Sequence, residues 1–328
     1  MPTCLHPRQG YLPSSNPDRR PAGMSGRIVF DERKAGSDYR ILEIPCGQCM
    51  HCRQNVAAQW KNRLILEASM HEHCQFATLT YSDKNLPHDG GLDREAMPEF
   101  MRRLRERLRP RGTRRGTLLQ TVRYFGCGEY GENFSRRPHY HILLFGLSVP
   151  DRRLWRTTSA GAPSYRSDFL EEIWPFGHVE FSDVTVSSIA YVSGYSIKKL
   201  NGKMGAEAYR RSHPITGEVF DCEPPFAQMS RRPGIGSKWF EDFSADCFPS
   251  DYLVIDGRKT PVPKYFFRLF ERDDPEAASV IREARELRSL EPRNRARAIA
   301  EAQPERIAAK EEIAHRKAFR QARDLGDL

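Results

Sequence analysis

Pro138-His139-Tyr140-His141-Ile142-Leu143-Leu144-Phe145 is the stretch on which the reading of this chain turns. Residues two apart on a strand point to the same face, so His139 and His141 converge while Tyr140 faces the other way. The four apolar residues that follow predict a strand running into a core. Two imidazoles at this spacing suit a divalent cation. They suit a pair of hydrogen-bonded structural histidines equally well, so a third ligand decides the matter. Glu129 lies ten positions upstream, in Gly128-Glu129-Tyr130-Gly131. Gly126, Gly128 and Gly131 are expected to end the preceding strand in a turn, leaving Glu129 in a hairpin connection beside the histidines. Glu132 competes for the same role.

Outward from this strand, the pattern predicts strands over 76–81, 118–125, 140–145 and 177–181. Helices are expected over 92–108, regular only from about Pro98, and over 167–173, with a further helix over 187–200. An earlier helix over 53–73 carries the stripe Val56, Trp60, Leu64 and Ala68. The order strand, helix, strand, strand, helix, strand is the split βαβ, ferredoxin-like arrangement. It implies an α+β fold, an antiparallel sheet with helices on one face. Residues 1–25 are rich in proline and read as coil. Runs over 27–30 and 39–44 read as a hairpin leading into Cys46-Gly47-Gln48-Cys49-Met50-His51-Cys52. Residues 206–270 are rich in Gly, Pro and aromatics. Residues 271–328, dominated by Ala, Glu and Arg, predict a helical tail.

The 328 residues carry a formal net charge of +9, which favours a phosphate-bearing partner such as nucleic acid. No apolar run approaches the roughly 20 residues of a membrane helix, and the polar start has no leader-like core. Neither a membrane nor a secreted protein is expected, so the eight cysteines should stay reduced.

Tyr191 and Tyr195 share one helical face, with Lys198 and Lys199 a turn further on. Two phenols beside ammonium groups suit attack on phosphate, given a cation to help a nucleophile of pKa about 10. Packing of two aromatics on a sheet would give the same spacing. Cys46, Cys49 and Cys52 need a fourth ligand to close a zinc tetrahedron, and His51 and His6 are candidates. An iron–sulfur cluster fits less well, because the Cys-Pro of the ferredoxin run is missing. Reduced, metal-free thiols are the remaining alternative. The arginines between 102 and 115 form a candidate phosphate track. Arg136 and Arg137 closely precede the His pair. Arg231 and Arg232 sit in a Gly- and Trp-containing loop of the kind that contacts single-stranded nucleic acid. No P-loop spacing occurs.

Together, Phe76–Tyr81, Pro138-His139-Tyr140-His141 and Tyr191-x3-Tyr195-x2-Lys198-Lys199 resemble the three motifs of HUH-type rolling-circle replication initiators. More closely, the chain resembles the replication initiation proteins of gokushovirus-type microviruses. The likeness runs from Cys4 through Pro45-Cys46-Gly47-x-Cys49-x2-Cys52 to Arg232-Pro233-Gly234-Ile235-Gly236 and Trp239-Phe240, about residues 1–245. The resemblance implies that His139, His141 and Glu129 hold Mg²⁺ or Mn²⁺, and that Tyr191 or Tyr195 attacks a phosphate in single-stranded origin DNA. Lys198 would neutralise charge at the reacting phosphate. Arg136, Arg137, Lys199, Arg231 and Arg232 would contact DNA. It also makes Cys4 the preferred fourth ligand for a structural Zn²⁺.

The expected organisation is a Cys-rich segment (1–52), an endonuclease domain (53–205), a DNA-contacting extension (206–270) and the tail (271–328). A host helicase and DNA polymerase are the expected partners, and the host cytoplasm the expected location. A transposase or relaxase of the same superfamily, or a non-catalytic zinc-stabilised DNA-binding protein, are the competing readings.

Overall fold

The structure, a computed structural model, describes residues 4–13, 27–110, 120–131, 137–158, 161–194, 209–212 and 217–325. The chain divides into two compact units, one of residues 1–55 with 292–316, the other of residues 56–291 with 317–328.

In the first unit, β1 (Arg8–Pro13) pairs antiparallel with β2 (Tyr39–Ile44). The expected hairpin partner, 27–30, contributes only an isolated bridge from Val29 to Tyr11. Residues Glu32–Lys34 form a turn of 3-10 helix. The expectation of coil throughout 1–25 fails at β1 for a simple reason. Pro7 and Pro13 bound the strand, and residues 8–12 keep every backbone N–H for the ladder. Helix α1 (Met50–Ala68) begins just after Cys49 and carries Cys52 in its first turn.

The second unit is built on a sheet. Its central elements are β3 (Cys74–Tyr81), α2 (Ala96–Arg107), β4 (Arg123–Tyr130) and β5 (Pro138–Phe145). Then come β6 (Arg153–Thr157), β7 (Pro163–Arg166), α3 (Asp168–Ile173), β8 (Gly177–Asp183) and α4 (Val186–Ser193). Two short strands, β9 (Arg210–Ser212) and β10 (Val219–Asp221), pair with each other, and β11 (Phe226–Met229) joins the sheet beside β4. The sheet order is β11-β4-β5-β3-β8-β7-β6, and every pairing in it is antiparallel. Its inner four strands, β4-β5-β3-β8, have the split βαβ order expected from the sequence.

The two crossover helices, α2 and α3, lie on one face. They pack Met97, Phe100, Leu104, Leu170 and Ile173 on Ala77, Leu79, Tyr140, Ile142 and Leu144. The opposite face is covered as well, which the expectation of helices on one face did not include. There Leu64 of α1 and Ile189 and Val192 of α4 pack on Phe125, Cys127, Leu143 and Phe145. The cause is legible in β5, whose residues after His141 are apolar on both faces and need burial on both.

The second strand starts later than expected and runs straight through Gly126 and Gly128. These glycines are sites of close approach, not turns. A Cβ on Gly126 would stand 2.7 Å from Met97 Sδ of α2 and 3.0 Å from the His141 carbonyl oxygen. On Gly128 it would stand 3.0 Å from Leu92 Cδ2.

The rest of the unit is α5 (Ser237–Phe243), the hairpin β12 (Tyr252–Ile255) and β13 (Arg258–Pro261), α6 (Lys264–Asp273) and α7 (Pro275–Leu290). Phe240, Phe248 and Phe266 centre a second core there. The tail continues as α8 (Pro292–Glu301) and α9 (Pro304–Leu325), helical as its composition predicts. Gly126→Val should lower stability by about 1–3 kcal/mol, read as a drop in melting temperature. A variant that melts with the wild type would contradict the close packing of α2 on β4.

Candidate functional site

The register of β4 against β5 sets Glu129 directly opposite His139, with Cys127 opposite His141. Glu129, His139 and His141 therefore share the face that α4 covers. Helix α4 starts where the sequence tells it to. Thr185 caps it, accepting from Ser188 N–H at 3.1 Å, and the Ser188 hydroxyl completes the capping box. Ile189 and Val192 then seat the helix on the sheet, and Tyr191 lies beside them against the histidines.

The Tyr191 hydroxyl donates to Glu129 Oε1 and lies 3.2 Å from His141 Nε2. Glu129 Oε1 is 3.1 Å from His141 Nε2 and 3.7 Å from His139 Nε2. Each ring is anchored through its other nitrogen. His139 Nδ1 donates to the Arg137 carbonyl at 3.2 Å, and His141 Nδ1 meets Thr78 Oγ1 at 3.0 Å. With Nδ1 engaged, both Nε2 atoms turn towards the carboxylate, the usual support of a metal-ligating imidazole. Phe76 stacks on the His141 ring at 5.5 Å, and Tyr191 meets it edge-on at 4.8 Å.

Glu129 is 7% exposed and His141 9%. A carboxylate that deep is costly without opposite charge close by. The ligand atoms of Glu129, His139 and His141 all lie within 4.8 Å of one another. Two imidazoles and one carboxylate, converging beside a phenol, fit a divalent cation with positions left for other oxygens.

Sequence reasoning missed Thr78 and Phe76. Both lie in the Phe76–Tyr81 motif, but their place at the site comes from the pairing of β3 with β5, which sets Thr78 opposite His141. It also missed Glu67, a buried carboxylate that bonds Arg123 Nε at 2.5 Å, Gly236 N–H at 2.6 Å and His71 Nε2 at 3.3 Å. Burial alone would raise its pKa. His71, the Gly236 amide and Arg123 outweigh that and hold it below the usual carboxylate range.

Tyr195, Lys198, Lys199, Arg136 and the alternative ligand Glu132 lie outside the described residues. Arg137 is tied down next to the centre, with Nη1 2.5 Å from Asp83 Oδ1 and Nη2 2.9 Å from the Tyr81 carbonyl oxygen. Arg231 and Arg232 are exposed, in a loop that Arg123 holds through the Pro233 and Gly234 carbonyls. On β4, Arg123 stands six residues from Glu129, the partner of His139, and four from Cys127, the partner of His141, so the residue that holds this loop is about 13–20 Å from the His pair. The expected arginine track is weakened where it is described. Arg102 pairs with Glu99 and Glu106, and Arg103 with Glu99.

Cys4, Cys46, Cys49 and Cys52 form the second cluster, with sulfurs within 4.8 Å of one another. Cys46 N–H donates to Cys4 Sγ at 3.2 Å, and the Gln48 and Cys49 amides donate to Cys46 Sγ at 3.4 and 3.3 Å. Burial opposes ionisation of Cys46, but these two amides, together with the Cys4 and Cys49 thiols, outweigh it and bring its pKa to about 7. Burial pushes Cys52 up to about 12. The fourth sulfur comes from Cys4, the one that the resemblance singled out.

Fold and site thus define an α+β protein with a His–His–Glu centre beside a tyrosine and a four-cysteine cluster. The family model for replication-associated protein ORF2/G2P matches residues 74–200. The chain is 31% identical over 256 residues to replication-associated protein VP4 of Bdellovibrio phage phiMH2K, covering 77% of this chain and 75% of that protein. It is 30% identical over 250 residues to replication-associated protein ORF2 of Spiroplasma virus 4, covering 74% and 73%. Replication-associated protein ORF4 of Chlamydia phage 1 is 24% identical over 236 residues, covering 70% and 54%. The chain belongs to this family of microvirus-type phage replication-associated proteins. No solved structure matches it significantly. Among the described residues, no helix is long and apolar enough to cross a membrane.

Proposed function

We propose that the protein starts rolling-circle replication as a metal-dependent HUH endonuclease that nicks and rejoins single-stranded origin DNA. The observation that carries this reading is the convergence of a tyrosine hydroxyl with two imidazoles and a buried carboxylate at one point. Glu129, His139 and His141 would hold Mg²⁺ or Mn²⁺. Such an ion supplies charge neutralisation at a phosphate oxygen. The mixed nitrogen and oxygen donor set suits Mn²⁺ at least as well as Mg²⁺.

Tyr191 is the nucleophile in this reading. Its hydroxyl donates to Glu129, which holds the phenol oxygen beside the centre; with the cation bound, the proton would pass to the second Glu129 oxygen or to water as the phenol attacks. The Tyr191 Oη–phosphorus bond forms as the bond from phosphorus to the 3′-oxygen breaks. The electron pair leaves on that oxygen, which takes up a proton to become a 3′-hydroxyl. The product is a 5′-phosphotyrosine link. Tyr195, four residues on, would carry out the second cleavage while Tyr191 is occupied. Lys198 would balance charge at the phosphate. Arg136, Arg137, Lys199, Arg231 and Arg232 would hold the DNA backbone. Arg137 uses two of its five N–H donors on Asp83 and Tyr81 and keeps the others for a phosphate.

Residues 53–205 form the endonuclease domain in this account, with 206–270 as a DNA-contacting extension. No ATPase motif occurs in the sequence, so a host helicase would unwind the duplex and a host polymerase would extend the 3′ end in the host cytoplasm. Cys4, Cys46, Cys49 and Cys52 would bind a structural Zn²⁺.

The activity is tested by nicking of circular single-stranded phage DNA with Mn²⁺, with covalent adduct read on a denaturing gel. Wild type should form an adduct that the Tyr191→Phe, Tyr195→Phe double variant does not. His139→Ala and His141→Ala should abolish cleavage while keeping most DNA binding. Wild-type protein that binds DNA but neither nicks nor links to it, across several origins and both metals, would favour the non-catalytic binder. Elemental analysis of protein purified without added metal should find about one zinc per chain, lost in Cys49→Ser. A chain free of zinc and iron would reject the cluster as a metal site.

A further inference from the structure

The outer hairpin β6–β7 has a feature that the reaction chemistry leaves unused. On the face that carries the His pair, Thr80 stands opposite His139 on one side and His178 on the other, and Thr78 stands between His141 and Glu180. Beyond them, Ser164 of β7 and Arg156 of β6 each bond the Glu180 carboxylate at 2.6 Å. One polar surface therefore continues from the histidines across β3, β8 and β7 to β6. Four strand spacings separate β5 from β6, about 19 Å.

The pairing of β6 with β7 slips by one residue along this edge. Leu154 faces Tyr165 and Arg156 faces Ser164, so Trp155 is an extra residue in a bulge. A bulge turns two neighbouring side chains towards one face, and here it sets Trp155 with Arg156 on the face of the histidines. Arg166, on the same side as Ser164, lies over the indole with its guanidinium carbon 3.8 Å from the ring centroid. Trp155 is nevertheless 54% exposed, on a strand with no buried residue. An indole held by a bulge and a guanidinium, yet open to water, contributes little to a core.

We infer that Trp155, backed by Arg166, is a base-stacking site for single-stranded DNA, gripping the strand a few nucleotides from the phosphate at the His139–His141–Glu129 centre. The inference rests on the nicking reading above. Single-stranded DNA suits the site because the surface is continuous with that centre and lined by threonine, histidine and arginine. Of its carboxylates, Glu180 is matched by Arg156, and Glu171 lies 4.0 Å from Arg166 Nε. Stacking on an aromatic face tolerates any base, as a strand flanking the cut requires.

The test is fluorescence anisotropy with fluorescein-labelled oligothymidylate, about 20 nucleotides long and about 4 nucleotides long. Trp155→Ala should bind the long strand about 5- to 100-fold more weakly, and the short one as the wild type does. Trp155→Phe should recover most of the loss, and Trp155→Ala should keep the wild-type melting temperature and Mn²⁺ affinity. If Trp155→Ala binds the long strand as tightly as a wild type that nicks normally, the stacking site is refuted and the nicking reading survives. If the wild type binds no single-stranded DNA, the nicking reading falls and takes the stacking site with it.

Discussion

Everything at the centre depends on the antiparallel register of β4 and β5. Because side chains alternate, a slip of one residue would send Glu129 to the α2 face and leave two histidines without a carboxylate. The register is held from both sides. On the α2 face, Gly126 and Gly128 admit Met97, Leu92 and Tyr140. On the α4 face, Phe125, Cys127, Leu143 and Phe145 meet Leu64, Ile189 and Val192. Large side chains at the glycines, or polar ones among the apolar positions, would remove the reason for this pairing.

Support extends from there to the tyrosine. Ile235 is fully buried in the same cluster as Ile189 and Val192 of α4. Its loop is fastened by charged groups that the cluster does not contain. Arg63 donates twice to the Ile235 carbonyl, at 3.1 and 2.8 Å, while its guanidinium lies over Trp60 and Tyr265. Glu67 takes the Gly236 amide and pairs with Arg123, which in turn holds the Pro233 and Gly234 carbonyls. A buried carboxylate so fully bonded fixes a geometry more than it adds stability. The geometry it fixes is the seat of the helix that carries Tyr191.

Much of this was legible in the residues. The two-residue spacing of His139 and His141 gave one face of one strand, and the order of apolar runs gave the split βαβ topology. The Cys spacing gave three sulfurs of four. What escaped has physical causes. Glycine reads as a turn because its freedom is local, whereas Gly126 and Gly128 serve packing against a helix far away in sequence. Proline reads as coil, yet Pro7 and Pro13 merely bound β1. Thr78, Phe76 and Glu67 are ordinary residue types whose partners, His71 apart, lie 50 or more positions away, so the fold has to bring them together before their roles show. The bulge at Trp155 is a property of two strands and leaves no mark on either.

The central claim is that Glu129, His139 and His141 hold a divalent cation within reach of the Tyr191 hydroxyl. Anomalous diffraction from crystals of the protein grown with Mn²⁺ tests it most directly. The account predicts a manganese peak bonded to His139 Nε2, His141 Nε2 and a Glu129 carboxylate oxygen, next to the Tyr191 phenol. No peak there at saturating Mn²⁺, or manganese bound only elsewhere on the chain, would contradict it.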